Sequence, residues 1–368
     1  MEVQLVDLKA QYGSIKEEID SAIQNVINDT AFIGGKYVKQ FEKEYSEAYG
    51  VKNVISCANG TDAIYITLKA LGIGMGAEVI TTAFSWISTA EAVAQTGAQV
   101  VFVDIEGDYY NIDPTKIEEK ITPKTRAILL VHLYGHPANM DAIMAIAKKH
   151  GLYVVEDCAQ AHFAQWKGKN VGTFGVAGTF SFFPSKNLGA YGDAGCIVSD
   201  DDDFAARARM FANHGSRIRH QHETDGVNSR MDGLQAAILS VKLKHVDEWN
   251  NKRRVSAGRY SELLYGVILT PNVNENAKHV FHLYVVRTEK RDDLRKRLSE
   301  NGIASGIHYP TALPFLKVYS HLGCKPSEFK IASACSSQVV SIPMYPELTE
   351  TELGIVARTI MEWKRGKK

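Results

Sequence analysis

Short apolar, β-branched runs alternate with helix-length amphipathic stretches through most of the first 200 residues. The runs are NVISCANG, AEVITTAF, AQVVFVDI, TRAILLVHLYG, LYVVEDCA, GTFSFF and GCIVSD. Runs of this length, bounded by Gly, Asn, Asp and Ser, predict strands, and their alternation with helices predicts a mostly parallel sheet wrapped by helices. Ile15, Ile19, Ala22, Ile23, Val26 and Ile27 recur at helical spacing and predict one core-facing stripe. MDAIMAIAKKHG predicts a helix that ends on Gly151.

The pattern changes after Gln235. A long helical stretch, AAILSVKLKHVDEWNNKRRVSAGRYSELL, precedes a strand-like FHLYVVRT, a helix DDLRKRLSENG, a second strand IASGIHYP and a closing helix TELGIVARTIMEW. This predicts an α/β large domain over residues 1–245 and a smaller C-terminal α+β domain over 246–368. No repeat or low-complexity segment suggests a solenoid.

Charge and cysteine usage narrow the function classes. Lys+Arg and Asp+Glu number 42 each, so the chain has no net charge and no broad basic field for nucleic acid or anionic lipid. Neither nucleic acid nor a membrane is an expected partner, and any anion must be bound locally. No apolar run approaches the ~20 residues that span a bilayer. The N-terminus lacks the basic start and continuous apolar region of a secretory signal. The five cysteines are widely spaced without a Cys-x-x-Cys pair. A cytoplasmic protein with reduced thiols is expected.

The chemistry is concentrated in four segments. In SFFPSKNLGAYGDAG, residues 181–195, Lys186 is framed by serines, proline and glycines between two apolar strands. A lone loop lysine is ordinarily solvated, but one held at strand ends can lose water, which lowers its pKa and makes it nucleophilic. In VVEDCAQAHFA a strand ends in Glu156 and Asp157, with Gln160 three positions on. Ligands of open α/β sheets sit beyond the carboxyl ends of the strands, and a pyridoxal ring nitrogen needs such a carboxylate to stay protonated. A helix cap is the competing role for Asp157.

In ISCANGTDAIYITLKALG a strand turns through Asn59 and Gly60 into a helix starting at Thr61 or Asp62, a ready anion site with Ser181 as a second donor. Without other signals this is simply a capped turn. In TTAFSWISTAEAV, Trp86 lies just past another strand, where an indole can cover a flat heterocycle, unless it is a core tryptophan.

With NHGS, GVNSRMDGLQAAIL, FHLYVVR and HYPTALP in the same order, these segments resemble the DegT/DnrJ/EryC1/StrS sugar aminotransferases, enzymes of the PLP-dependent transferase fold type I. The resemblance runs along nearly the whole chain. It implies pyridoxal 5'-phosphate as cofactor, Lys186 as the Schiff-base lysine and proton shuttle, and Asp157 as the pyridinium partner. It further implies Gln160 at the cofactor hydroxyl, Gly60, Thr61 and Ser181 at the phosphate, and Trp86 stacked on the ring. Asn228 matches the asparagine that reaches the phosphate from a neighbouring subunit, which implies a homodimer with shared active sites. His308 and Tyr309 are the candidate sugar or nucleotide contacts. A dehydrating subgroup carries histidine where this chain has Lys186, so the resemblance implies transamination from L-glutamate to a nucleotide-linked keto-sugar.

The motifs most resemble the branch acting at C3 of UDP-linked 2-acetamido sugars, including the hexuronate. dTDP-linked 3-keto-6-deoxyhexoses and 4-keto sugars are the alternatives. A non-catalytic cofactor-binding regulator is the alternative of a different class. A dinucleotide site in LGIGMGAE is disfavoured because its glycines precede a strand instead of following one. His214, His220 and His222, or His132 and His136, offer no recognised zinc spacing, so no metal is expected.

Overall fold

The computed structural model describes residues 2–366. Seven strands form the central sheet: β1 (Asn53–Cys57), β2 (Glu78–Thr82), β3 (Gln99–Val103), β4 (Thr125–Val131), β5 (Tyr153–Asp157), β6 (Ala177–Ser181) and β7 (Gly195–Ser199). Their spatial order is β1, β7, β6, β5, β4, β2, β3. The ladders from β6 through β5, β4 and β2 to β3 are parallel, whereas β7 runs antiparallel to both β1 and β6. The parallel reading therefore holds except at GCIVSD. There the chain returns from the Lys186 segment directly into the sheet, and a strand entered without a crossover helix runs antiparallel.

Helices pack against this sheet. Those that matter below are α1 (Leu8–Ser14), α2 (Lys16–Asn28), α3 (Gly35–Tyr49), α4 (Gly60–Ala70), α5 (Ser88–Gln95), α6 (Met140–His150), α7 (Asp202–Ala212) and α8 (Gly233–Leu243). The expected stripe buries Ile15, just before α2, and Ile19 and Val26 within it, but Ile27 is 45% exposed, one position round the helix from the buried face. Gly151 ends α6 in the left-handed conformation as the pattern predicts, with φ 64°.

The long helical stretch after Gln235 is two helices. α8 stops at Leu243 and α9 (Val246–Leu263) starts after a break at Lys244 and His245, where the Lys244 and His245 N–H groups bond three residues back. The following elements are β8 (Tyr284–Arg287), α10 (Arg291–Glu300), α11 (Lys330–Gln338), β9 (Val339–Ile342) and α12 (Glu350–Arg365). β8 and β9 pair antiparallel, and α9, α10 and α12 pack around them through Tyr260, Leu294, Leu298, Val356 and Ile360.

The segment IASGIHYP forms no strand of its own. Its ladder pairing is limited to isolated bridges from Gly306 to Ser341 and from Ile303 to Val3 among the described residues. LGIGMGAE lies in the turn between α4 and β2, with Gly72 and Gly76 at positive φ, and feeds the amino end of a strand. The segment around His220 and His222 contains a short hairpin, Ser216–Ile218 with Gln221–His222. No helix among the described residues is long and apolar enough to cross a membrane, and all five cysteines are free.

Candidate active site

The carboxyl ends of β1, β2, β4, β5 and β6 converge on a cavity of about 640 Å³. Nine of the ten expected site residues line it: Gly60, Thr61, Trp86, Asp157, Gln160, Ser181, Lys186, His308 and Tyr309. Asn228 does not. It is exposed, bridged to Asn213, and lies outside this chain's own cavity.

Each wall follows from local sequence. β1 ends at Cys57, and the Asn59 side chain caps α4 by accepting from the Asp62 N–H at 2.8 Å. The helix begins at Gly60, one residue earlier than the sequence suggests, and the N–H groups of Gly60 and Thr61 have no partner within the helix. They face the cavity beside Ser181. A Cβ on Gly60 would lie 2.6 Å from the Ser181 Cβ, so only glycine lets the helix start approach the end of β6 this closely. The result is a concave, glycine-lined anion cradle at the positive end of a helix.

On the next wall, β2 leads through Phe84 and Ser85 to Trp86, which is 58% exposed and therefore no core residue. Its indole stands 5.8 Å from the Tyr309 ring at 42°. The two rings pack against each other and both line the cavity that Asp157 faces.

Adjacent carboxylates at the end of β5 diverge. Glu156 is spent on the fold: it accepts from the N–H groups of Gly172 at 2.6 Å, Phe174 at 2.7 Å and Gly175 at 2.8 Å, and meets His132 Nε2 at 3.1 Å. Asp157 points the other way, accepting from the Ala159 N–H at 3.1 Å and the Thr89 hydroxyl at 3.0 Å. Burial pushes its carboxyl up, and the Ala159 and Thr89 donors together with the charges of Lys186 and His132 pull it back down. Asp157 is thus no cap for a helix; it is a buried acceptor facing the cavity.

Lys186 reaches the same cavity from the Phe183–Asn187 turn. Desolvation lowers its ammonium from 10.5 to about 8, opposed by the Asp157 charge. No hydrogen bond from its Nζ is present among the described residues. His282 and His308 sit on the same wall and are held neutral, burial being the larger cause and the Lys186 charge the next. His308 Nδ1 lies 2.8 Å from the Ser341 hydroxyl.

Gln160 is already engaged at both ends of its amide. Its Oε1 accepts from the Tyr134 N–H at 2.7 Å, and its Nε2 donates to the Tyr309 hydroxyl at 3.0 Å. A second Nε2 hydrogen remains for a ligand oxygen.

Ser85, Ser88, Thr89, Asp193 and His282 also line the cavity and were not among the residues expected there. Ser85 and Thr89 lie either side of Trp86 and were legible by position, since α5 begins at Ser88 and turns its first residues toward the strand ends. His282 carried no such signal. It is brought in by the crossing from residue 279 to β8, far along the chain.

The cavity fits a phosphorylated pyridine on the structure's own terms: an anion cradle where a Cβ would not fit, an amine with no acceptor among the described residues, a carboxylate with free lone pairs and two aromatic rings in one lining. Comparison with known proteins agrees. The model of the DegT/DnrJ/EryC1/StrS aminotransferase family matches residues 13–361. The chain is 46% identical, over 99% of both chains, to a Geobacillus stearothermophilus protein named "Pleiotropic regulatory protein". It is 42% identical to the UDP-N-acetyl-3-dehydro-alpha-D-glucosamine 3-aminotransferase of Acidithiobacillus ferrooxidans, over 99% of this chain and 98% of that one. The crystal structure of S. venezuelae DesV in complex with a ketimine intermediate superposes with a TM-score of 0.97 at 40% identity, covering 99% of this chain and 98% of that chain.

Proposed function

The chain belongs to the DegT/DnrJ/EryC1/StrS aminotransferase family, and from that membership we propose that it carries the amino group of L-glutamate to the C3 ketone of a UDP-linked 2-acetamido-2-deoxy-3-keto-hexose or hexuronate. It is a sugar aminotransferase that uses pyridoxal phosphate. The observation that carries the reading is Lys186, an amine without a hydrogen-bond acceptor among the described residues, lining one cavity with Asp157. When bound, pyridoxal phosphate supplies an aldehyde carbon for amines and a ring that holds the electron pair left when a Cα proton departs.

The chain's own groups do the rest. With its proton affinity lowered to about 8, Lys186 has a usable neutral fraction near pH 7 to 8 and is nucleophilic. The same amine would accept and return the proton at the substrate Cα. Asp157 keeps the ring nitrogen protonated. Gly60, Thr61 and Ser181 hold the phosphate, Trp86 covers the ring and Gln160 meets its hydroxyl. His308 and Tyr309 are the sugar-side contacts. The working unit is at least a homodimer, in which Asn228 reaches the phosphate of a neighbouring copy. Its exposure outside its own cavity supports that role.

The name of the Acidithiobacillus relative supports UDP and C3. The Geobacillus relative's name favours a second reading, a regulator that binds cofactor without turnover. One assay separates them. The purified protein is given glutamate and a panel of UDP- and dTDP-linked 3-keto and 4-keto sugars, and 2-oxoglutarate is measured. Turnover with the UDP 3-keto sugar is expected. Turnover confined to dTDP or 4-keto sugars moves the substrate, and cofactor binding with none at all rejects the enzyme. Refolding Lys186→Ala with Asn228→Ala tests the shared site, since hybrids regain one intact site only if the two residues meet across subunits.

A further inference from the structure

We propose that Thr89, backed by Ser85, is a positioning residue that fixes the Asp157 carboxylate in its ionised form and aims its free lone pairs into the cavity. The inference rests on the cofactor reading above.

Three buried groups form a chain: the Ser85 hydroxyl lies 3.1 Å from the Thr89 hydroxyl, which donates to Asp157 Oδ2 at 3.0 Å. Ser85 is 4% exposed, Thr89 1% and Asp157 5%, so water does not substitute freely for any of them. Hydrogen counting fixes the direction. An ionised carboxylate only accepts, and each hydroxyl has one hydrogen. Thr89 therefore gives its hydrogen to Asp157, and Ser85 gives its own to Thr89. The ionised carboxylate is the form that draws both hydroxyl hydrogens toward itself, whereas a protonated carboxyl can supply a hydrogen of its own and needs the Thr89 donor less.

Geometry leaves the remaining lone pairs for the cavity. Asp157 Oδ1 is held by the Ala159 N–H and Oδ2 by Thr89, one donor on each oxygen. Glu156 next to it shows the alternative, with three backbone donors and nothing left to bind. Thr89 is on the first turn of α5 and makes no hydrogen bond to its own helix among the described residues, so its hydroxyl is not spent on the backbone.

The other groups facing Asp157 are Lys186 and His132, whose charges favour the anion, and Tyr309 and Cys158, which gain nothing from it. Against burial, Thr89 is one of only two direct donors to this carboxylate among the described residues. Losing it leaves a buried anion short of one bond, a costly state that the group relieves by taking up a proton. The proton shared between Asp157 and a bound ring nitrogen then shifts toward Asp157, and the ring loses positive charge.

The test compares wild type, Thr89→Val, Thr89→Ser and Ser85→Ala, each loaded with pyridoxal phosphate. The readouts are the pH midpoint of the cofactor's visible band, cofactor affinity by fluorescence, and kcat and KM for the keto-sugar. In Thr89→Val the midpoint rises, because a less positive ring withdraws less charge from the Lys186 nitrogen. Its kcat falls by about tenfold or more, as for loss of a hydrogen bond to a charged group, with KM little changed. Thr89→Ser restores both, and Ser85→Ala shifts the midpoint the same way by less. If Thr89→Val does not fold, the midpoint in Ser85→Ala alone decides. Variants that melt earlier but keep the wild-type midpoint would overturn the proposal, reducing Thr89 to packing. A wild type with no borohydride-reducible band at Lys186 overturns the cofactor reading instead.

Discussion

Lys186 and Lys242 are two lysines taken out of water, and burial lowers both from 10.5 to about 8. Their surroundings differ. Lys242, on α8, donates to the Gly189 carbonyl at 2.6 Å and lies 4.7 Å over the Tyr191 ring. Gln235, on the same helix, accepts from the Tyr191 N–H at 2.8 Å, so α8 clamps the loop that follows Lys186. Lys186 has a cavity in front of it and no acceptor among the described residues. A depressed pKa therefore does not identify the reactive amine. Access does, because Lys186 lines a cavity that can hold a reaction partner whereas Lys242 is held at the Gly189 carbonyl outside it.

The sharpest way to break this comparison is to remove each amine. Lys186→Ala is expected to lower turnover by about 10³-fold, the scale of losing a nucleophile that is also the proton shuttle. It should also abolish the borohydride-reducible band. Lys242→Met should keep that band and lose less than about tenfold in kcat. A reducible active-site band persisting in Lys186→Ala, or vanishing in Lys242→Met, would reverse the roles assigned to the two.

Next in size is Asp157→Asn, which retains shape but cannot balance a positive ring nitrogen. Charge stabilisation of this kind is worth about 10²- to 10³-fold in kcat. Cofactor affinity, measured by fluorescence titration, should fall much less. Equal losses in both would make Asp157 a binding group only.

Lys242→Met has its main effect on stability. It leaves the Gly189 carbonyl short of a donor, a cost of about 1–3 kcal/mol, and also removes a buried charge, which offsets part of it. A net loss of about 1 kcal/mol in urea denaturation of the cofactor-loaded protein is expected. A loss beyond about 4 kcal/mol would mean that the whole Lys186 loop depends on this one contact.

What the sequence disclosed follows the same division. Lys186, Asp157 and Trp86 were legible because a parallel sheet places strand ends on one side, so residues just past apolar runs must meet. Gly60 was legible from the strand-to-helix turn, and its packing against Ser181 explains why glycine stands there. Thr89 and Ser85 were marked only by their place beside Trp86, and small hydroxylated residues at a helix start read as ordinary capping. Lys242 was hidden inside an apolar helical stretch as if it were an exposed position. IASGIHYP has the β-branched composition of a strand, yet its chain leaves β9 after the Gly306 bridge to carry His308 and Tyr309 to the cavity. The break between α8 and α9 has no glycine or proline to announce it.

The smallest effect separates the lysines by pH. An unfolded lysine holds its proton up to about 10.5, whereas each of these loses it near 8 in the folded chain. Between those values the unfolded state binds more protons, so stability rises with pH across that window and is flat with respect to these groups below it. In the cofactor-free protein both lysines contribute, each up to about one proton near pH 9. With cofactor bound, the Lys186 nitrogen is engaged and only Lys242 remains. Urea denaturation of cofactor-free wild type, Lys186→Met, Lys242→Met and the double variant from pH 7.5 to 10.5 isolates the two contributions, since the buried tyrosines are common to all four. Each single variant should lose about half of the lysine-dependent rise and the double variant all of it. A Lys242→Met slope equal to wild type would show that the Gly189 carbonyl and Tyr191 ring compensate its burial fully, leaving Lys186 as the one lysine whose proton affinity the fold depresses.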